Sequence, residues 1–392
     1  MTKLSKVNPP SFRPVVAVLA EHWESKSEEG WIARQVAGAL ACIADIHIIT
    51  PDGAAMGTSV DGVFSLHRMA APIEPSAEIR RDLLVRGLSD GGVCDAGPLP
   101  TELSLLLNRG LIDPWRRAPE ILAKYQPDLA LIVGHTNVGA MAALDRYRTD
   151  VPIAMLALGS DDQSLAFAHF NHLFKRAKTV LAITETECLS IREHHQGVGE
   201  VYRIGAPLAA NPSALSEPNS SVGDTGYILV LSGVSLDEKS DESGLCRLLR
   251  VQFPDNVVGI AYTDSFRTWF NGRVSTDGPI ERSSDLSRLL AFARITVDLR
   301  PGRLFGRHCV ESLLFGAPIV VPHQTRAREH AERGHGGLWF AHPGELVWSV
   351  EALLEPATHH ALSAQGRSYA ESEYGSTDDF IVRVTEACGL TD

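Results

Sequence analysis

The apolar runs VVAVLA (residues 15–20) and IHIIT (residues 46–50), with the segment between them, decide the fold class. In that segment Ile32, Val36 and Leu40 recur every four residues, a spacing that predicts one buried helix face. VVAVLA is uninterrupted and IHIIT is interrupted only at His47 before its final Thr50, which is typical of strands that are covered on both faces in a parallel sheet. A strand, a helix and a second strand of this kind predict a Rossmann-like α/β architecture.

The same alternation continues outward from this unit. Further strands are predicted at LALIVG, VPIAMLAL, TVLAIT and EVYRIG, and helices at 118–125, 163–177 and 185–194. The alternation restarts at YILVLSG and continues through NVVGIAY, ITVDL, PIVVP and LWFA, and the tail from residue 357 to 388 is predicted to be helical throughout. Two α/β domains are therefore expected.

The domain limits follow from composition. Residues 211–226 are rich in Pro, Ser, Gly and Asn and are predicted to be a linker. An N-terminal domain (1–210) would precede it and a C-terminal domain (227–370) would follow, with a C-terminal helix (371–392) expected to pack back on the N-terminal domain. The irregular stretch 72–114 is expected to cover a binding cleft.

Charge and composition exclude several functional classes. The 392-residue chain is 44% hydrophobic and carries a net charge of −12, so we expect neither nucleic-acid binding nor strong membrane association. The six cysteines show no C-x-x-C pair and no zinc spacing, which favours a reducing cytoplasm. No run approaches the ~18 apolar residues of a membrane span. No sequence feature predicts an oligomeric state.

The segment RPGRLFGRHCVESLLFGAPIVV (residues 300–321) carries a family pattern. It resembles the retaining glycosyltransferases of family 4, whose pattern is Glu-Gly-Phe-Gly, a second Glu eight positions after the first, Gly-x-Pro and an apolar strand. Phe305, Gly306, Glu311, Gly316 and Pro318 coincide with that pattern. The resemblance implies a GT-B fold, with two Rossmann-like parallel-sheet domains facing a central cleft, and a nucleotide-diphosphate sugar as co-substrate.

The resemblance also implies roles for residues of the C-terminal domain. In ILVLSGVSLDEKS, Gly233 and Lys239 coincide with the family, which implies that Lys239 holds the donor diphosphate. Lys239 is also the only lysine after Lys178. Glu311 would accept hydrogen bonds from the donor's ribose hydroxyls, as a carboxylate at the start of a helix. The loop that holds Leu304, Phe305, Gly306 and Arg307 would present backbone N–H groups to phosphate or sugar.

The sequence departs from the family pattern at two positions. Arg303 replaces the first Glu, and Val234 replaces an Arg that contacts the diphosphate in the family. Arg300, Arg303 and Arg307 gather around the loop instead, and their guanidinium groups are expected to take over the diphosphate or to bind a donor with an extra acid group. The alternative is a solvated or acid-paired cluster. Lys239 and Arg303 are the catalytic candidates.

The N-terminal domain offers weaker candidates. On the acceptor side these are Gly30, Trp31, His135 and Asp161, whereas the His that the family has after the strand at 151–158 is absent. Because the family's mechanism lets the departing phosphate oxygen deprotonate the acceptor, we expect no metal and no cofactor.

These observations predict a metal-independent glycosyltransferase that transfers a sugar to a small soluble acceptor with retention of configuration. The sugar is expected to be a hexose, and the enzyme is expected to act in biosynthesis. Two alternatives stay open. The protein could be a catalytically degenerate GT-B protein that acts as a binding or accessory subunit, or a sugar-nucleotide epimerase or pseudo-glycosyltransferase on the same fold.

Overall fold

The computed structural model describes residues 13–21, 23–24, 28–51, 57–69, 115–134, 137–148, 150–158, 171–195, 197–208, 226–233, 240–254, 257–261, 267–270, 273–275, 283–300 and 305–390. The chain divides into two compact units. The first consists of Met1–Ile183, Glu187–Ile204 and Ile381–Asp392, and the second of Thr184–Thr186 and Gly205–Phe380. The predicted linker lies outside the described residues apart from Gly226, and the predicted domain limits stay predictions.

The first unit contains an eight-stranded sheet in the order β3-β4-β2-β1-β5-β6-β7-β8. Its strands are β1 (Val15–Leu19), β2 (Asp45–Thr50), β3 (Gly57–Asp61), β4 (Phe64–Arg68), β5 (Leu129–Val133), β6 (Ile153–Leu156), β7 (Thr179–Ala182) and β8 (Glu200–Arg203). The helices described between them are α1 (Glu28–Leu40), α2 (Ala118–Tyr125), α3 (Val138–Tyr147), α4 (Asn171–Arg176) and α5 (Glu185–His194).

The second unit contains a seven-stranded sheet in the order β12-β11-β10-β9-β13-β14-β15. Its strands are β9 (Tyr227–Ser232), β10 (Val257–Ala261), β11 (Arg267–Phe270), β12 (Arg273–Ser275), β13 (Ala293–Asp298), β14 (Ile319–Pro322) and β15 (Gly337–Phe340). The helices described here are α6 (Asp241–Gln252), α7 (Ser283–Phe292), α8 (Arg307–Leu314), α9 (Arg328–Glu332), α10 (Pro343–Leu354) and α11 (Pro356–Tyr374). A last helix, α12 (Thr377–Ala387), begins in the second unit, and from Ile381 onward its residues belong to the first.

Apolar residues cover both faces of the second sheet. Along β9, Ile228 and Val230 belong to one buried cluster, whereas Leu229 and Leu231 belong to another. Successive side chains of a strand point to opposite faces, so each cluster covers one face of the sheet. The uninterrupted apolar strands therefore confirm the predicted α/β class with buried parallel sheets.

Three strands differ from the expectation of purely parallel sheets. β3 pairs antiparallel with β4, and β11 and β12 form antiparallel pairs beside β10. β3 is the outer strand of its sheet and is mostly exposed, so its sequence lacks an apolar run. β11 and β12 contain only four and three residues, too few for a clear pattern.

The tail is also interrupted. α11 ends at Tyr374, and Ser376 accepts a hydrogen bond from the backbone N–H of Asp379 at 3.1 Å, starting α12. A new N-cap replaces the predicted continuous helix. The stretch 72–114 and the first part of the helix predicted at 163–177 lie outside the described residues.

Candidate functional site

The candidate site lies in the second unit, where the parallel strands β9 and β13 end side by side. Gly233 follows the last residue of β9, and Arg300 comes two residues after Asp298, the last residue of β13. Ligands of open α/β sheets bind beyond the carboxyl ends of the strands. This edge of the sheet is therefore where donor-binding residues are expected.

Asp298 and Arg300 form a buried ion pair at this edge. Both side chains are 4% exposed, and the Nε of Arg300 donates to Oδ1 of Asp298 at 2.7 Å while Nη2 donates to Oδ2. Burial alone would raise the pKa of Asp298, but the charge and hydrogen bonds of Arg300 hold it below its ordinary value. The guanidinium of Arg300 is thus committed to an internal carboxylate, as in the acid-paired alternative.

Glu242, in the first turn of α6, lies next to the end of β9. Its Oε1 accepts a hydrogen bond from the backbone N–H of Gly233. Burial raises the pKa of the Glu242 carboxyl, although the bonds from Gly233 and from the Ser232 side chain oppose this shift. The Glu242 carboxylate therefore holds the backbone at Gly233, directly after β9.

Gly306 fixes the start of α8. It is the N-cap residue, with φ of 72°, and a Cβ built on it would lie 2.7 Å from the Cβ of Ala327. The described first turn contains no acidic residue and begins with two basic ones, Arg307 and His308. The guanidinium of Arg307 adds to the positive end of the helix dipole, which makes the site favourable for an anion.

Glu311 organises these two basic side chains. Its Oε1 accepts a bond from Nε of Arg307 at 2.7 Å, and its Oε2 lies 2.8 Å from Nδ1 of His308. Burial alone would raise the pKa of Glu311, but His308 and Arg307 lower it below its ordinary value, so the carboxyl stays ionised. Glu311 is the fifth residue of α8 and not at its start as expected, so its carboxylate reaches back along the first turn.

Comparisons with known proteins bear on the fold. No family model matches the chain, and no curated protein matches it. Among solved structures, sucrose-phosphate synthase from Thermosynechococcus elongatus is similar with a TM-score of 0.60 and 14% identity, over 95% of this chain and 98% of that one. Anabaena Alr3699/HepE in complex with UDP and glucose has a TM-score of 0.60 and 13% identity, over 96% and 100% of the two chains.

A third similar structure is the UDP-forming α,α-trehalose-phosphate synthase from Burkholderia vietnamiensis, with a TM-score of 0.60 and 14% identity over 96% of this chain and 100% of that one. Each of these matches covers at least 95% of this chain, so each extends over both units. The protein has the GT-B fold. In this GT-B chain, the second unit corresponds in sequence to the domain that the family resemblance links to the donor.

Some predicted site residues belong to the second unit, and others belong to the first. Gly233, Arg300, Phe305, Gly306, Arg307 and Glu311 belong to the second unit, around β9, β13 and α8. Gly30 and Trp31 lie in the first turn of α1 in the first unit. Five candidates lie outside the described residues, as does the departure at Val234: Lys239, Arg303, Leu304, His135 and Asp161.

Several polar residues around the candidate site were not predicted from the sequence. They are Asp298, Glu242, His308 and His330. Asp298 could have been predicted from the sequence, because it ends an apolar strand and residues two apart in an extended chain, here Asp298 and Arg300, point to the same side. His330 had none, because its contacts are distant in sequence.

The described residues contain no group of three or more His, Cys, Asp or Glu side chains that could hold a metal ion. Every helix in the described part of the chain is too short or too polar to cross a membrane.

Proposed function

We propose that this protein is a glycosyltransferase that moves a sugar, expected to be a hexose, from a nucleoside-diphosphate donor to a small soluble acceptor. One observation carries the proposal. On a GT-B fold, Gly233 and α8 lie near the carboxyl ends of β9 and β13, since Gly233 lies beside Arg300 and Cys309 of α8 lies 3.6 Å from Asp298. Gly233, Gly306 and Glu311 match donor-site positions of the family that the sequence resembles, and Arg307 is a basic residue of this sequence beside them.

The choice of nucleotide rests on the similar structures, and the choice of stereochemistry rests on the family that the sequence resembles. One similar structure contains UDP and glucose, and another protein is described as UDP-forming, so UDP is the first nucleotide to test. The resemblance to family 4 supports retention of configuration. The family's mechanism requires no metal, and we extend that expectation, with a cytoplasmic location, to this chain.

The proposed chemistry is mainly electrostatic. As the bond between sugar and diphosphate breaks, negative charge grows on the leaving phosphate. Arg307 and His308, held by Glu311, lie at the N-terminus of α8, and Lys239 and Arg303 would add positive charge. The departing phosphate oxygen would take the proton of the acceptor hydroxyl, so the protein needs no separate base.

Calorimetric titration with UDP, GDP, ADP, dTDP and CDP tests the donor site. We expect one nucleotide, UDP first, to bind the wild type, and Lys239→Ala and Glu311→Ala each to weaken it at least tenfold, since each removes a charged contact. Lys178→Ala, which removes an exposed lysine of the first unit, and Glu332→Gln, which alters an exposed pair with Arg328, are the matched controls.

Turnover is measured with the matching nucleotide sugar, by release of free nucleotide with and without a panel of small acceptors. Binding lost in both site variants but kept in both controls would support the donor site. Failure of all five nucleotides to bind the wild type would refute it.

The buried Asp298–Arg300 pair favours one rival function, a degenerate GT-B protein that binds nucleotide without transfer. In that case Arg300 supports the fold and leaves fewer cations to stabilise the leaving phosphate. Nucleotide binding with no turnover of any donor would select this second candidate.

A further inference from the structure

His330, on the short helix α9, is fully buried and was not expected to take part in the site. Its Nε2 lies within hydrogen-bond distance of the backbone carbonyl of Phe305. Its Nδ1 lies 3.1 Å from the hydroxyl of Tyr369 on α11. One side chain therefore joins three segments of the second unit.

The partners of His330 determine its tautomer. A carbonyl oxygen can only accept, so Nε2 must carry the proton and donate it to Phe305. In the neutral imidazole, Nδ1 is then the acceptor for the Tyr369 hydroxyl. Burial raises the pKa of Tyr369 to about 12, so this hydroxyl keeps its proton and can donate. The result is a directed chain of hydrogen bonds from Tyr369 through His330 to Phe305.

Aromatic packing restricts the movement of this chain. The ring of Tyr374 meets the His330 imidazole edge-on at 5.5 Å between centroids, and it stacks near the Phe305 ring at 6.2 Å. The Phe305 side chain is itself fully buried. The imidazole is thus held in one orientation, and the carbonyl that it contacts is held with it.

The carbonyl of Phe305 belongs to the peptide group that leads into Gly306, the N-cap of α8. Gly306 is already constrained by its positive φ and by Ala327, three residues before His330. Fixing the Phe305 carbonyl fixes the plane of that peptide group. The direction in which α8 begins, with Arg307 and His308 in its first turn, is set by the same contacts.

We propose that His330 is a positioning residue for donor binding, which acts by holding the Phe305–Gly306 peptide group through its Nε2–H. This inference rests on the proposed function, because it assigns to His330 the placement of the α8 N-terminus against a nucleoside diphosphate. His330 itself touches no reacting atom.

The test compares two amides at this position. In His330→Gln the side-chain nitrogen can reach the place of Nε2 and still donate to Phe305, whereas in His330→Asn it reaches only the place of Nδ1. We expect Asn to raise the Kd for UDP about tenfold and Gln to stay within about threefold of the wild type. In donor turnover, Asn should raise the KM for the nucleotide sugar and leave that for the acceptor unchanged.

His359→Asn is the matched control. His359 also lies with its Nε2 near a backbone carbonyl, that of Arg294 at 2.9 Å, but on a part of α11 that the site does not use. This variant should lose stability through the same kind of bond yet bind UDP within about twofold of the wild type. A purely structural role for His330 would make the two Asn variants alike.

Each result decides the inference. UDP binding by His330→Asn equal to that of the wild type would overturn it. If His330→Asn does not fold, Tyr369→Phe decides, because it removes the donor to Nδ1 and should raise the Kd about threefold; an unchanged Kd overturns the inference. A wild type that binds none of the five nucleotides would overturn the proposed function and this role together, an outcome distinct from binding that is indifferent to His330.

Discussion

At the residue scale, Gly306 is subject to two separate constraints. Its φ of 72° disfavours any side chain, and a Cβ would meet Ala327 at 2.7 Å. Gly316, just after α8, has φ of 83° but no atom within 4 Å of the same position. We expect Gly316→Ala to cost about 1 kcal/mol of unfolding free energy and Gly306→Ala roughly 2–4 kcal/mol, because only the second adds a steric clash.

Urea unfolding of both variants measures the difference between these two glycines. Adding Ala327→Gly to Gly306→Ala removes the clash and should recover part of the loss. Equal costs at positions 306 and 316 would mean that the contact with Ala327 relaxes without strain.

The same scale shows which site residues a sequence can reveal. Asp298 and Arg300 are separated by one residue at the end of a strand, so their pairing could be predicted from alternation. His330 lies 25 residues from Phe305 and 39 residues from Tyr369, and only the folded chain brings them together. Glu311 was predicted from a family pattern, but its bonds to Arg307 and His308 follow from its place within the helix.

At the scale of elements, a pair of histidines joins β2, β4 and α2. Nδ1 of His47 lies 3.0 Å from Nε2 of His67, and the Tyr125 ring stacks on His47 with centroids 3.9 Å apart. Burial is the main cause that lowers the pKa of His67 to about 4, and the neighbouring His47 and Lys124 contribute less to the same shift. Thr58 on β3 and Asp45 on β2 complete the polar surroundings of the pair.

The low pKa of His67 predicts a loss of stability in acid. Between about pH 6.5 and 4 the unfolded chain binds a proton that the folded chain does not, so stability falls as pH falls, by at most about 1.4 kcal/mol per pH unit. Since carboxyl groups titrate in the same range, urea unfolding is compared between the wild type and His67→Gln at each pH. The difference in stability should shrink or change sign toward pH 4; a constant difference would contradict the shift.

Elements were predicted best where burial made the pattern strong. β5 reads LALIV and is buried at every position, and the helix predicted at 118–125 has those limits. β3, which has no buried residue, was missed, although Asp61-Gly62 before β4 is a hairpin signal. At the edges of a sheet, pairing with one neighbour suffices and the side chains need not be apolar, so composition carries little information.

At the scale of the whole molecule, the two units differ in continuity. The first is assembled from three segments, whereas the second is continuous from Gly205 to Phe380 and includes only three residues from earlier in the chain, Thr184–Thr186. Those residues matter to Glu329, whose carboxylate accepts the backbone N–H of Glu185 at 3.1 Å and of Thr186 at 2.7 Å. Burial alone would raise the pKa of Glu329, but bonds from Thr186 and Glu185 contribute to holding it below its ordinary value.

A fragment of residues 205–380 therefore separates the donor site from the rest of the protein. It contains its own apolar clusters on both faces of the second sheet, so we expect it to fold and to bind UDP within about threefold of the full chain. It should transfer no sugar, since it lacks every acceptor-side candidate.

The fragment also lacks residues 185 and 186, so in it Glu329 has lost two hydrogen-bond donors. Glu329→Gln should therefore destabilise the full chain by about 1–3 kcal/mol but the fragment by less. Thermal unfolding of the full chain and the fragment, each with and without Glu329→Gln, measures the change in stability, and UDP titration of the same four proteins measures binding. If the folded fragment binds no UDP while the full chain does, part of the donor site lies in the first unit.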